Sequence, residues 1–293
     1  MATWANIDQI NSISNFLPTA PQRMSTSDNQ LDPEHPIDPA IRQEILATLT
    51  RVEQGHGVKI LFACESGSRG WGFASPDSDY DVRFLYVHPL DWYLTVFPER
   101  DVIELPVNEI YDVGGWDLRK ALGLLRNGNA TLVEWLSSPV VYRADALFRQ
   151  QIVEAAQAVS RPERAFHHYQ HMAQKNYREH LQGETIRLKK YLYVLRPVFA
   201  CLWIEQGRGP VPMRFQGMVD TLANDDLKIA IAELLAVKRR AAEGELGKPI
   251  PAIHAFIEQH LNRLTHNSAP EEERQDFSVL DHLLRDTILR CNG

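Results

Sequence analysis

The sequence predicts an α+β protein: a small mixed sheet with helices over residues 36–160, followed by an all-helical domain over residues 161–293. Three observations carry that prediction. Short apolar runs bounded by glycine and proline crowd the stretch from Val58 to Val113, as strands joined by turns would. From about residue 163 onward, apolar residues recur instead at helical spacing, in five long stretches. Between the first two apolar runs lies a Gly-Ser turn, followed by acids at alternate positions, Asp77, Asp79 and Asp81.

Residues 1–35 are rich in Ser, Asn, Gln and Pro and read as an arm with little regular structure. Asp38 is a good N-cap and Pro39 suits the first helical position. Ile41, Ile45, Leu46, Leu49 and Val52 follow at helical spacing until Gly55 and Gly57 stop the helix. Val58 to Ala63 reads as a short buried strand. After Gly67-Ser68, Arg69 to Phe73 reads as a brief helix and Pro76-Asp77-Ser78 as a turn. Tyr80 to Val87 alternates acid and apolar residues before turning mostly apolar, the pattern of a strand entering a core. Asp91 to Phe97 reads as a short helix ended by Pro98. Val102 to Leu105 and Val107 to Val113 look like paired strands, the second broken by Gly114-Gly115.

Helices then cover Asp117 to Arg126, Thr131 to Leu136 and residues 144–158, with a short extended piece after Pro139. The domain boundary falls near Ser160-Arg161-Pro162. Beyond it, helices are expected at about 163–182, 185–206, 225–243, 252–264 and 277–289, with Pro197 kinking the second.

Bulk properties exclude several classes. The chain of 293 residues is 44% apolar and 24% charged, with no uninterrupted apolar run long enough to span a bilayer. The N-terminus has no basic segment followed by an apolar core, so no signal peptide is expected. Cys64, Cys201 and Cys291 are far apart and odd in number, which argues against a disulfide framework or zinc knuckle. A cytoplasmic location is the simplest expectation. The net charge of −7 argues against a protein that coats nucleic acid along its whole surface. Residues 161–216, however, carry 10 Lys/Arg against 4 Asp/Glu. Such a segment would suit a polyanionic substrate, the plainer reading being a set of solvated helix faces.

Asp79 and Asp81 are two apart on an expected strand, so their side chains leave the same face. Paired carboxylates repel unless a cation lies between them, and a hard divalent ion such as Mg²⁺ is the natural occupant. The plainer reading is a surface strand with alternating acids, and Asp77 belongs to the turn before it. In Gly67-Ser68, glycine permits a tight turn that aims backbone N–H groups at an anion, and Ser68 adds a hydroxyl. The stretch is neither a Walker-type loop nor a dinucleotide fingerprint. Arg69 and Arg83 are placed to steady phosphates, although Arg83 shares the face of the aspartates and would also pair with them. In the helical domain, Lys189, Tyr193 and Arg196 fall within two turns on one face, able to stack a base and bind its phosphates. Core tyrosine with snorkelling cations is the rival reading.

Strand, Gly67-Ser68, ten residues and then Asp79-Tyr80-Asp81-Val82 resembles the signature of DNA polymerase beta-type nucleotidyltransferases, with Ser66 where an apolar residue is commoner. The wider stretches Glu65 to Phe73 and Ser78 to Arg83 are more specific. Together with Gly115 to Lys120, Gly128-Asn129, Glu134-Trp135-Leu136 and Ser138-Pro139, they are similar to the YcgL-like predicted nucleotidyltransferases. That group is also called the RNA repair pathway DNA polymerase beta family. The similarity covers roughly residues 40–215.

The resemblance implies a nucleoside triphosphate on Gly67-Ser68, with Asp79 and Asp81 holding two Mg²⁺ ions, for which Mn²⁺ can substitute. It also implies a third acid on a later strand. Asp112, between Tyr111 and Val113, has the apolar flanks such a strand needs. Asp117 is its rival, with an N-cap as the plainer reading, and Glu104 and Glu109 are further candidates. The implied reaction joins a nucleoside monophosphate to an acceptor hydroxyl and releases pyrophosphate. The family name points to RNA ends as acceptors. Transfer to a protein or small molecule, and a non-catalytic nucleotide-binding regulator, are the alternatives. The number of subunits is not legible in the sequence.

Overall fold

The computed structural model describes residues 36–107, 110–240, 246–266 and 276–292; the expected N-terminal arm and Glu109 lie outside them. Helix α1 (Pro39–His56) begins where the Asp38 carboxylate accepts the N–H groups of Ala40 and Ile41. It ends on Gly57, which takes a left-handed φ of +62°.

Five strands follow the expected apolar runs: β1 (Lys59–Glu65), β2 (Tyr80–Val87), β3 (Val102–Glu104), β4 (Tyr111–Asp117) and β5 (Val141–Ala144). They form one sheet in the order β3-β4-β2-β1-β5. β2 and β4 pair in parallel, and the other three pairings are antiparallel. The sheet is covered on both faces. Ile45, Leu49 and Val52 of α1 pack with Val82, Phe84 and Tyr86 on one side. On the other, Leu85 and Val87 meet α4 (Leu118–Arg126), α5 (Ala130–Leu136) and α6 (Ala146–Ala158). Two short helices, α2 (Gly67–Trp71) and α3 (Leu90–Tyr93), lie in the connections that follow β1 and β2.

The sheet departs from expectation at Gly114-Gly115. The pair does not break the strand but lies within β4, which continues to Asp117. The reason lies across the ladder. A Cβ on Gly115 would stand 2.3 Å from the Phe84 ring, so glycine lets the parallel neighbour lay its aromatic face against the backbone.

Beyond residue 160, α7 (Pro162–His180), α8 (Lys190–Glu205), α9 (Phe215–Leu222), α10 (Asp225–Arg240) and α11 (Pro251–His266) build a second core. Helix α8 is its axis, with Leu192, Leu195, Val198 and Phe199 fully buried, and it runs through Pro197 without a break in helical assignment. Sequence periodicity missed α9. It also missed a two-residue ladder between β6 (Ile186–Arg187) and β7 (Leu246–Gly247), too short to leave a pattern.

The last helix, α12 (Ser278–Asn292), does not join this second core as the expected domain boundary requires. Its Leu280, Leu283 and Ile288 pack into the core under the sheet, with α4 and α6. Arg290 pairs with Asp145 at 2.8 Å, and Asn292 Oδ1 accepts the Leu90 N–H. Helical periodicity reveals an apolar stripe but not the surface that stripe will meet. Among the described residues, no helix is long and apolar enough to cross a membrane.

Candidate active site

The site is built where β1 ends, α2 begins and β2 starts. Gly67 opens α2 at φ +54°, and its Cα faces the Asp81 carboxylate so closely that a Cβ would stand 1.7 Å from Asp81 Oδ2. No other residue type combines that φ with that approach. The chain then crosses back: Ser66 N–H donates to the Asp81 carbonyl at 2.8 Å, and Asp81 N–H donates to Glu65 Oε1 at 2.9 Å. The phosphate-turn candidate and the candidate metal ligand are thus one hydrogen-bonded unit, with Ser68 buried in the first turn of α2.

Asp81 lies on the half-exposed face of β2, and the parallel register sets Asp112 of β4 directly beside it. Asp79 precedes the strand and is exposed. Between the two strand acids lies the Arg83 guanidinium. Its Nη2 donates to Asp112 Oδ2 at 2.6 Å and to Asp81 Oδ1 at 3.2 Å, and its Nη1 donates to the Asp112 carbonyl at 2.8 Å. Burial, together with the charge of Asp79, pushes the Asp81 carboxyl up to about 6, while Arg83 pulls the other way and Asp112 adds to the rise.

Glu65 was not singled out in the sequence and is the fully buried acid of the site. Its second oxygen accepts the Tyr142 hydroxyl, and its carbonyl accepts Ser138 Oγ at 2.6 Å. Burial pushes its carboxyl up to about 8, against the opposing pull of the Tyr142 and Asp81 hydrogen bonds. An acid closing an otherwise apolar strand was the one signal available.

Two arginines expected at the phosphates are engaged elsewhere. Arg69 is buried: Nη2 donates to the Ser78 carbonyl at 2.6 Å, Nε to the Asp79 carbonyl at 3.2 Å, and the guanidinium lies 3.9 Å from the Tyr80 ring centre. It ties α2 to the start of β2 and so positions Asp79. Arg196 is also buried, its Nη1 donating to Glu134 Oε1 at 2.8 Å and its guanidinium 4.7 Å from the Trp71 ring centre. Glu134 accepts the Tyr169 hydroxyl as well, so α2, α5, α7 and α8 meet in one buried polar knot. Spacing put Arg196 on the face of Tyr193, but it could not reveal that a carboxylate waits there.

Tyr193 does reach the site region. Its ring meets Trp71 edge-on at 5.8 Å, and Lys190 Nζ stands 5.1 Å from its centre. Lys189, half-buried, immediately precedes α8. The remaining glycines of the turn explain how closely the helical domain approaches. A Cβ on Gly70 would meet Met213 Cε at 2.5 Å, and one on Gly72 would meet Arg214 Nη1 at 2.6 Å.

Asp117, the rival third acid, is a cap. It is fully buried, accepts Arg119 N–H at 2.8 Å and the Tyr93 hydroxyl at 2.6 Å, and sits at the far end of β4 from Asp112. Glu104 pairs with Arg100 at the surface, and Asp77 is exposed in the turn before β2.

Carboxylates that raise one another's pKa are the donor set a hard divalent cation relieves, so the residues fit Mg²⁺ in chemical type. As they stand, no three acids, histidines or cysteines among the described residues converge on a metal position. The cation found between Asp81 and Asp112 is Arg83.

A mixed sheet carrying this turn and these acids at one end, with a helical domain pressed against α2, has its counterpart among the polymerase beta-type nucleotidyltransferases. Residues 41–286 match the RNA repair pathway DNA polymerase beta family, and the chain belongs to that family. It is 43% identical over 251 residues to the uncharacterized protein YcgL of Bacillus subtilis (strain 168), an alignment covering 85% of this chain and 96% of that one. A nucleotidyltransferase-like protein from Exiguobacterium sibiricum 255-15 aligns over 82% of this chain and 74% of its own. It does so at 14% identity and a TM-score of 0.27, too loose a superposition to bear on the fold.

Proposed function

We propose that the chain transfers a nucleoside monophosphate from a nucleoside triphosphate to the terminal hydroxyl of an RNA, releasing pyrophosphate. One observation carries this reading: Asp81 and Asp112 stand side by side on parallel strands, directly against the glycine turn, in a polymerase beta-type family member. In the reaction the acceptor oxygen bonds to the α-phosphorus as the bond to the pyrophosphate bridging oxygen breaks. Asp79, Asp81 and Asp112 would hold two Mg²⁺ ions, or Mn²⁺ in their place. Bound there, the ions would activate the acceptor hydroxyl and neutralise the departing pyrophosphate.

The chain's own residues do the rest. Gly67 brings backbone N–H groups and Ser68 toward the phosphates. Arg83, on the same face as the acids, is the guanidinium within reach of them. Asp112 takes the proton that leaves the acceptor hydroxyl. On the helical domain, Tyr193, whose ring meets Trp71, and Lys189, just before α8, receive the base and the outer phosphates. The basic stretch 161–216 supplies attraction for a polyanionic acceptor.

The test is to incubate the protein with each α-labelled nucleoside triphosphate, Mg²⁺ and either an RNA or a protein pool. Label on RNA is expected, lost in Asp81→Ala and in Asp112→Ala. Label on protein instead would replace the acceptor, an outcome the overall charge of −7 also suits. No labelled product from any nucleotide would overturn transfer altogether.

A further inference from the structure

The acids of the site already hold a cation, and it belongs to the chain. Arg83 Nη2 bridges Asp112 Oδ2 at 2.6 Å and Asp81 Oδ1 at 3.2 Å, and Nη1 binds the carbonyls of Asp112 at 2.8 Å and Val82 at 3.2 Å. A divalent ion shared by Asp81 and Asp112 would compete with the guanidinium for those two carboxylates. The guanidinium side chain is only 20% exposed, so solvent screens its charge weakly at that point.

We propose that Arg83 is a resident counter-cation that bars a lone divalent ion from Asp81 and Asp112, so that the ion enters together with the nucleoside triphosphate. This rests on reading those two acids as metal ligands.

The argument is one of replacement partners. A metal ion arriving alone takes the carboxylates from Arg83 and offers its N–H groups nothing in return, while adding like charge beside it. An ion arriving with a triphosphate brings paired phosphate oxygens that the planar guanidinium fork binds bidentately. Arg83 then exchanges one set of anionic acceptors for another, and the acids are released to the metal. Ion and nucleotide therefore bind with positive coupling, and by linkage each tightens the other by the same factor.

The test uses the full chain and two probes. Mn²⁺ alone is titrated by the loss of its free electron paramagnetic resonance signal, and a non-hydrolysable triphosphate analogue with excess Mn²⁺ is followed by equilibrium dialysis. Arg83→Met keeps the stem and removes the charge, and Arg83→Gln repeats the test should the first variant fold poorly. The expected result has opposite signs: Mn²⁺ alone binds about tenfold or more tighter to the variant, while the Mn²⁺–analogue complex binds about tenfold or more weaker. A folding defect weakens both and does not produce that reversal.

Unchanged or weaker Mn²⁺ binding in both Arg83 variants overturns the inference. If binding of the Mn²⁺–analogue complex is lost in Asp81→Ala, the metal reading survives that failure. If Asp81→Ala binds the Mn²⁺–analogue complex as wild type does, the metal reading falls and takes the inference with it.

Discussion

Gly67→Ala is the sharpest perturbation of the site, because two costs fall on one atom and a second glycine separates them. The first cost is conformational: alanine at φ +54° lies in the left-handed region, worth about 1–2 kcal/mol. The second is overlap, since the new Cβ would stand 1.7 Å from Asp81 Oδ2 and force the carboxylate or the turn to move. Overpacking of that kind adds about 1–3 kcal/mol. Gly57→Ala carries the first cost alone, for Gly57 has φ +62° and nothing within 4 Å of where its Cβ would stand. Urea denaturation of the two variants beside wild type should place Gly57→Ala at about 1–2 kcal/mol and Gly67→Ala at about 2–5 kcal/mol. Equal losses would mean that the Asp81 carboxylate does not lie against the turn, and the construction of the site given above would be wrong.

Two further outcomes follow from the buried acids. Glu65 ionises near 4.5 when exposed but is held up to about 8 in the fold, so the folded state keeps a proton that the unfolded chain releases between those values. Its stabilising effect is whole below about pH 4.5 and is lost as pH rises through about 8, roughly 5 kcal/mol across the window. Glu65→Gln cannot titrate, so its stability should gain on wild type steadily from about pH 4.5 to about pH 8; parallel stability curves would contradict the assignment. At the knot between the domains, Arg196 and Glu134 are 3% and 8% exposed, and removing one partner strands the other. Arg196→Met should cost about 3–5 kcal/mol in denaturant unfolding, and the double variant with Glu134→Leu less than the sum of the two singles. Additive losses would show that the pair is not coupled.

How much of this was legible in the sequence depends on whether the signal is local. The run from β1 through the turn to Asp81 was readable because glycine, serine and alternate acids each constrain their own stretch of backbone. The parity that put Asp81 and Arg83 on one face is likewise local, as are the amphipathic periods of the long helices; Asp79 falls just before the strand. Gly114-Gly115 misled because a glycine pair reads as a break until the Phe84 ring across the ladder is known. Glu65 and Glu134 were passed over because an acid's residue type does not reveal that Tyr142 or Arg196 will meet it in the interior. Arg69 and Arg196 erred the other way: a cation near a phosphate turn looks available until its carbonyl and carboxylate partners are placed.

The return of α12 to the sheet bears on how the chain is divided. Residues 162–266 are bracketed by the same α/β unit, which supplies α6 before them and α12 after them. The helical domain is therefore an insertion in the chain of the α/β unit, which resumes after it with α12. Movement of the helical domain against the α/β unit would have to part the buried Arg196–Glu134 pair and the contact of Arg196 with Trp71.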